Sequence, residues 1–204
     1  MTIHYYKNDL PAGLDLGAVV AVDGEMMGLQ PYRDRLCLVQ LSSGDGNAHL
    51  VHFADRDFSA PNLKKLLADK NVLKIFHVAR TDLAVMKHWL GVRVAPVFCT
   101  KVASRLCRTS TDRHGMKDLI KDLLGIPFEK LITMSMSDWG APELTEEQKA
   151  YAADDVLYLH QLRDKLIALL KRENRLELAQ GCFDFLPYRA ELDLGNWPEE
   201  MLGH

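Results

Sequence analysis

The stretch AVVAVDGEMMGLQPYRDRLCLVQLSSGDGNAHLVHF, residues 18–53, decides the fold class. It holds three short apolar runs, at 18–22, 36–41 and 48–53, parted by clusters of Gly, Pro, Asp and Ser at 28–34 and 42–47. Runs of this length bounded by turn residues predict three successive strands joined by short connections. After them the pattern changes. Leu63, Leu66 and Leu67 give helical spacing over 61–69, residues 72–76 read as a buried strand, 82–90 as a helix, and 97–99 as a strand leading into 101–107. A meander followed by β-α-β-α predicts an α/β fold with a mixed five-stranded sheet flanked by helices.

The remainder reads as helical. Residues 116–124 are stopped by Gly125 and Pro127, and a long helix starts at Thr145, which forms a Thr-x-x-Gln capping box with Gln148. Leu159, Leu162, Leu166 and Leu169 continue a helical apolar stripe beyond it. The tail at 181–204 carries Cys182, Phe183, Phe185, Leu186, Tyr188 and Trp197. It is too apolar to run free and is expected to pack on its own domain or on a neighbouring subunit.

With 204 residues, 48% of them hydrophobic, the chain can build one substantial core, so a single domain over 1–204 is expected, with its catalytic core at about 18–170. Residues 1–9 hold no apolar run after a basic stretch, and no window approaches the roughly 18 apolar residues of a membrane span. Cys37, Cys99, Cys107 and Cys182 lie far apart, without the spacing of a zinc site or a disulfide framework. Reduced thiols in a cytoplasmic protein are the expectation. The net charge of −3 argues against broad neutralisation of long duplex phosphate. It leaves nucleic acid open, because bound cations count in the field that a phosphate meets. Arg33 with Arg35, and the loop with Arg105, Arg108, Arg113 and His114, read either as solvated surface or as phosphate contacts.

Three carboxylate motifs carry chemistry. Asp23 and Glu25 end the first strand two residues apart, which puts both side chains on one face of an extended backbone, within reach of one cation. An acid beside Gly24 at a strand end is also an ordinary turn residue. Asp82, in FHVARTDL, falls in the first turn of a helix after a strand, where an acid also serves the helix dipole. Tyr151 and Asp155 lie four apart in YAADDVLYL, on one helical face, and their row continues through Tyr158, Leu162, Leu166 and Leu169. A carboxylate on a core-facing row needs a cation or donor beside it. Asp154 is the other candidate ligand, pointing about 100° away, toward solvent.

In order, DGEMMGL, FHVARTDL and YAADDVLYL resemble the three exonuclease motifs of the DEDD superfamily, in which Asp-x-Glu, a middle Asp and a last Asp hold two divalent cations. The Tyr-x-x-x-Asp spacing of Tyr151 and Asp155 matches the tyrosine subgroup; Ala150 stands where the histidine subgroup has its His. GMKDLIKDLLGI and SDWGAPELTEEQKAYAADDVLYL are similar to ribonuclease D, over roughly residues 18–170. The absence of room for that family's helical RNA-binding domains, with RDRLCLVQLSSGDG after the first motif, resembles the nano-RNase C family. Gly24 departs from the Thr common at its position, with metal affinity the property at stake.

The resemblance implies a ribonuclease H-like exonuclease fold and a metal-dependent 3′→5′ exoribonuclease that degrades short RNA, diribonucleotides above all, to 5′-mononucleotides. Its implied ligands are Asp23, Glu25, Asp82 and Asp155 for two Mg²⁺ or Mn²⁺ ions, hard cations for all-oxygen donors. Tyr151 would orient the attacking water, and Gly28, Leu29 and His77 would touch substrate. Trp139 is expected to be packing alone. A homo-oligomer is implied too. Alternatives are ribonuclease D-like processing of tRNA or structured RNA, a DNA exonuclease, and a non-catalytic nucleic-acid binding module.

Overall fold

The computed structural model describes residues 1–128 and 132–202. The last two residues of the expected tail, Gly203 and His204, lie outside the described residues. Six strands form one sheet: β1 (Ile3–Lys7), β2 (Val19–Met26), β3 (Leu36–Ser42), β4 (Ala48–His52), β5 (Leu73–Phe76) and β6 (Val97–Cys99), in the spatial order β1-β4-β3-β2-β5-β6. The expected five strands are all present, and β1 corrects the count to six. Its segment, IHYYK, has half-exposed polar aromatics on both faces rather than an apolar run, so it lacked the pattern by which a strand is read. β2, β3 and β4 pair antiparallel as a meander, while β1 on β4, β5 on β2 and β6 on β5 are parallel.

The helices are α1 (Pro61–Ala68), α2 (Ala79–Val85), α3 (Thr100–Cys107), α4 (Met116–Leu119), α5 (Ile132–Ser135), α6 (Glu146–Leu157), α7 (Leu159–Arg172) and α8 (Leu176–Leu194). Each of α2 and α4 runs on into a wider turn, Met86–Leu90 and Ile120–Leu124, closed by left-handed Gly91 and Gly125. The single helix expected from Thr145 is two. Tyr158, at ψ −8, separates α6 from α7, and the stripe that α7 buries is Leu159, Leu162, Leu166 and Leu170.

Strands β3 and β4 are buried throughout, and α6 lies across β2, β3 and β4 while α7 crosses β2 and β5. The aromatic tail is mostly α8, which packs on α2, α3 and β6 and buries Ala179, Phe183, Leu186, Pro187 and Ala190. The N-terminal segment is fastened too: the Asp9 carboxylate accepts from the backbone N–H of Asn62 (3.0 Å) and Leu63 (2.8 Å), capping α1. No helix of the described residues is long and apolar enough to cross a membrane.

Candidate active site

The carboxylates converge where β2 leaves the sheet. Asp23 and Glu25 stand opposite Gln40 and Leu38 of β3, and the register shifts between Glu25 and Met26, a bulge that ends regular pairing beside the acids. Gly24 sits between them. A Cβ there would lie 3.4 Å from Asp82 Oδ1, so the first and middle motifs meet at this glycine.

Asp82 is in the first turn of α2 and is buried. Burial, then the charges of Asp23, Glu25 and Asp155, hold its carboxyl well above the usual range. Asp155 comes from α6, whose register the capping box fixes: Thr145 Oγ1 accepts from Gln148 N (3.2 Å) and Gln148 Oε1 accepts from Thr145 N (2.9 Å). The same glutamine donates through Nε2 to Ser137 Oγ (3.2 Å) and Asp138 O (3.1 Å), pinning the segment ahead of the helix.

Asp23, Glu25 and Asp155 each offer an oxygen, all within 4.8 Å of one another. All three are half-buried, so Asp155 is less deeply set than its apolar row predicted. Asp154, expected to face solvent, is half-buried as well and lies outside this cluster. Three carboxylates this close, with Asp82 feeling their charges, carry negative charge that divalent cations would balance, and the donor set is all hard oxygen, as Mg²⁺ or Mn²⁺ prefers over zinc.

Tyr151 lies one turn before Asp155 and packs on Trp139, their ring centroids 6.0 Å apart. Burial first, then Asp155 and Glu25, push its phenol up to about 12, with a hydrogen bond to Ser135 opposing the shift. It is therefore a neutral hydroxyl at ordinary pH. Trp139 is sealed in the core, the packing role expected of it.

The expected substrate residues come from two places, the loop between β2 and β3 and the residue after β5. Leu29 is 86% exposed in the loop between β2 and β3, so it does not pack on the core. Gly28 leaves space for Asp34, because a Cβ there would come within 2.2 Å of Asp34 Oδ2. His77 follows β5, buried, with its ring against Thr100. Leu29 opens a cleft of about 770 Å³ whose other walls include Tyr32, Thr81, Lys101, Arg105 and Trp197.

Among these wall residues only Arg105 had been read as a possible phosphate contact. Lys101 had a signal, because it opens the helix after β6 as Asp82 does after β5, and such N-termini gather at the carboxyl ends of parallel strands. The other members of the two basic stretches are engaged. Arg33 pairs with Asp34, Arg35 donates to Phe53 O and Gly140 O, Arg108 pairs with Asp122, Arg113 with Asp118 and Asp122, and His114 meets Ser104.

A family model described as 3′-5′ exonuclease matches residues 7–171. The chain belongs to the 3′-5′ exonuclease family. Among solved structures, Brucella melitensis NrnC bound to pGG is 48% identical, with a TM-score of 0.94, over 100% of this chain and 98% of that one. The same protein with bound Mg²⁺ gives 47% identity and a TM-score of 0.93, over 100% and 99% of the two chains. Ribonuclease D of Gluconacetobacter diazotrophicus is 37% identical over 158 residues, 78% of this chain and 39% of that protein. The chain thus spans about two fifths of the length of the curated ribonuclease D relatives it matches. The family's exonuclease fold is the architecture described above.

Proposed function

We propose that this chain is a metal-dependent 3′→5′ exoribonuclease that hydrolyses short RNA, dinucleotides foremost, to 5′-mononucleotides. The observation that carries the proposal is the convergence of Asp23, Glu25 and Asp155 within 4.8 Å, beside a buried Asp82 that feels all three charges. Similarity over nearly the full length to a protein solved with pGG and with Mg²⁺ supports the substrate and the metal.

Asp23, Glu25 and Asp155 would hold one divalent cation, with Asp23 and Asp82 reaching a second. Bound there, such ions supply an acidified water, charge neutralisation at the scissile phosphate and relief for the leaving oxygen. The chain's own residues do the rest. Tyr151, held protonated, orients the attacking water through its hydroxyl rather than deprotonating it. The exposed Leu29 packs on the terminal bases, Gly28 shapes its loop, and His77 meets the 3′-terminal nucleotide. Contacts to sugar, phosphate and base faces leave recognition indifferent to sequence.

Short RNA fits a chain of net charge −3 in which Arg33, Arg108 and Arg113 are taken up by ion pairs with its own carboxylates. We further propose a cytoplasmic homo-oligomer, supported by the exposed Leu178, Phe185, Tyr188 and Trp197 along and after α8. A labelled series from dinucleotide to decamer, in RNA and DNA, tests the reading. Mg²⁺-dependent mononucleotide release, fastest on RNA dinucleotides and stopped by EDTA, is expected. Activity persisting in EDTA overturns the metal site, and rates rising steeply with length overturn the substrate. A monomer by light scattering removes the oligomer.

A further inference from the structure

Gln40, in β3, is wholly buried, and neither end of its side-chain amide is satisfied. Nε2 and Oε1 are both sealed from solvent, with no hydrogen-bond partner among the described residues. Buried amides nearly always have partners, because removing water from one without replacing its hydrogen bonds is costly. An amide left in this state in the middle of a strand needs a reason, and its place in the sheet supplies one.

Gln40 stands directly opposite Asp23 in the antiparallel β2–β3 ladder, in the regular stretch ahead of the bulge after Glu25. Residues opposed in this way send their side chains to the same face, with Cβ atoms about 4.5–5.5 Å apart. The face is the one that α6 covers: Leu38, two residues before Gln40, and Leu50, opposite it on β4, both cluster with Ala152 and Tyr151 of α6. Those two leucines offer the amide nothing. Ser42, two residues on, already donates its hydroxyl to Asn47 O at 2.6 Å and accepts from Gly44 N at 3.3 Å. Of the four neighbours that the ladder sets around Gln40 on this face, Asp23 is the one with a charged acceptor to offer.

We propose that Gln40 is a positioning residue for the metal site, whose Nε2–H donates to the Asp23 carboxylate when a divalent cation is bound there. Asp23 is the ligand assigned to both ions, so its orientation matters most. A carboxylate has lone pairs enough to ligate and to accept a hydrogen bond at once, and an amide donates without cancelling any of the charge that attracts the cation. Donors of this kind behind metal ligands typically change metal affinity roughly 10–100-fold when removed. The metal-free protein then bears an unsatisfied amide, which the loaded protein satisfies. The inference rests on the metal-dependent exonuclease reading above.

The test uses the full chain, and its two main readouts need no turnover. Gln40→Met keeps the length of the side chain and removes both polar atoms. In EDTA its urea midpoint should equal or exceed that of the wild type, because an unpaired buried amide has gone. Its Mn²⁺ affinity by calorimetry should fall roughly 10–100-fold. Gln40→Asn, with the amide drawn back by one methylene, should lose affinity as well. Leu50→Met, a volume-conserving change on the other side of Gln40, should leave affinity unaltered.

A Gln40→Met protein that is less stable than the wild type in EDTA, or that does not fold, would show that the metal-free fold already satisfies the amide, and overturns the proposal. Unchanged Mn²⁺ affinity in Gln40→Met does the same, as does an equal loss in Leu50→Met, which would mark a packing effect. Dinucleotide hydrolysis separates this inference from the reading beneath it. Mn²⁺ binding that depends on Gln40 in a protein that cleaves no nucleotide faults the exonuclease reading and leaves the positioning role standing, whereas a wild type that binds no Mn²⁺ removes both.

Discussion

Arg80 and Asp193 face each other fork to fork, Nε to Oδ2 at 2.6 Å and Nη2 to Oδ1 at 2.8 Å, which joins α2, the helix carrying Asp82, to the end of α8. Arg189 adds a bond to the same carboxylate at 2.7 Å, and Glu199 meets the Arg80 guanidinium at 2.8 Å. Bidentate pairs of this kind fix geometry as well as contribute energy. Asp193→Asn should cost about 1 kcal/mol in urea unfolding, a modest figure because the Arg80 side chain is 42% exposed to solvent. It should lower Mg²⁺-dependent hydrolysis by more than that loss of stability explains. Unchanged hydrolysis would mean that α8 does not brace Asp82.

Sequence periodicity reached the meander, the two β-α units and the capping box, because each has a buried face with the period of its element. It missed β1, where aromatics fill both faces and stability comes from partners far along the chain: Tyr5 bonds His52, His4 stacks on His49 at 4.7 Å, and Lys7 pairs with Glu143. It ran α6 and α7 together because a break at one residue, Tyr158, leaves the leucine spacing intact. Two ligands separated by one residue on a strand were legible; their meeting with Asp82 and Asp155 came from motif resemblance. The cleft walls were least legible, since Lys101, Tyr32 and Trp197 come from three separate elements and share no local pattern.

The two glycines of the first motif should respond oppositely to alanine. At Gly24 the new Cβ would sit in ordinary contact, 3.4 Å from Asp82 Oδ1, on an extended backbone that alanine adopts freely. Gly24→Ala is expected to raise stability by about 0.4–1 kcal/mol, by narrowing the unfolded ensemble, with Mg²⁺ affinity retained. At Gly28 the Cβ would strike the Asp34 carboxylate, which accepts from Gln30 N at 3.0 Å and organises the loop bearing Leu29. Gly28→Ala should therefore cost about 1–3 kcal/mol and raise KM. Calorimetry and kinetics on the pair check both signs.

Lys74 makes stability depend on alkaline pH. Its ammonium is wholly buried in β5 and donates to Asp69 O (2.7 Å) and Ala95 O (2.6 Å). Burial pulls it down to about 8, against an opposing pull from the Asp69 charge. Between that value and its unfolded value of roughly 10.4 the unfolded chain binds the extra proton, so stability rises with pH across this window. Relative to Lys74→Met, the wild type should gain on the order of 2 kcal/mol between pH 7.5 and 9.5. Urea titrations at the two pH values decide it, and parallel changes in both proteins would remove Lys74 as the cause.

Tyr151 and Asp155 share one face of α6 and should fail in different ways. Tyr151→Phe keeps the ring against Trp139 and removes only the hydroxyl, so packing and metal binding should survive while the attacking water loses its guide. A fall in kcat on the order of 10² to 10⁴ is expected, with KM little changed. Asp155→Asn instead removes one of three clustered oxygen charges, so the Mg²⁺ concentration needed for activity should rise, and excess Mg²⁺ should recover part of the rate. It should also lower the Tyr151 phenol, because the Asp155 charge helps to hold it up. Metal titrations of the two variants separate the roles. If Tyr151→Phe cleaves at the wild-type rate, the tyrosine is a packing residue, and the water must be oriented by another group on this face of the sheet.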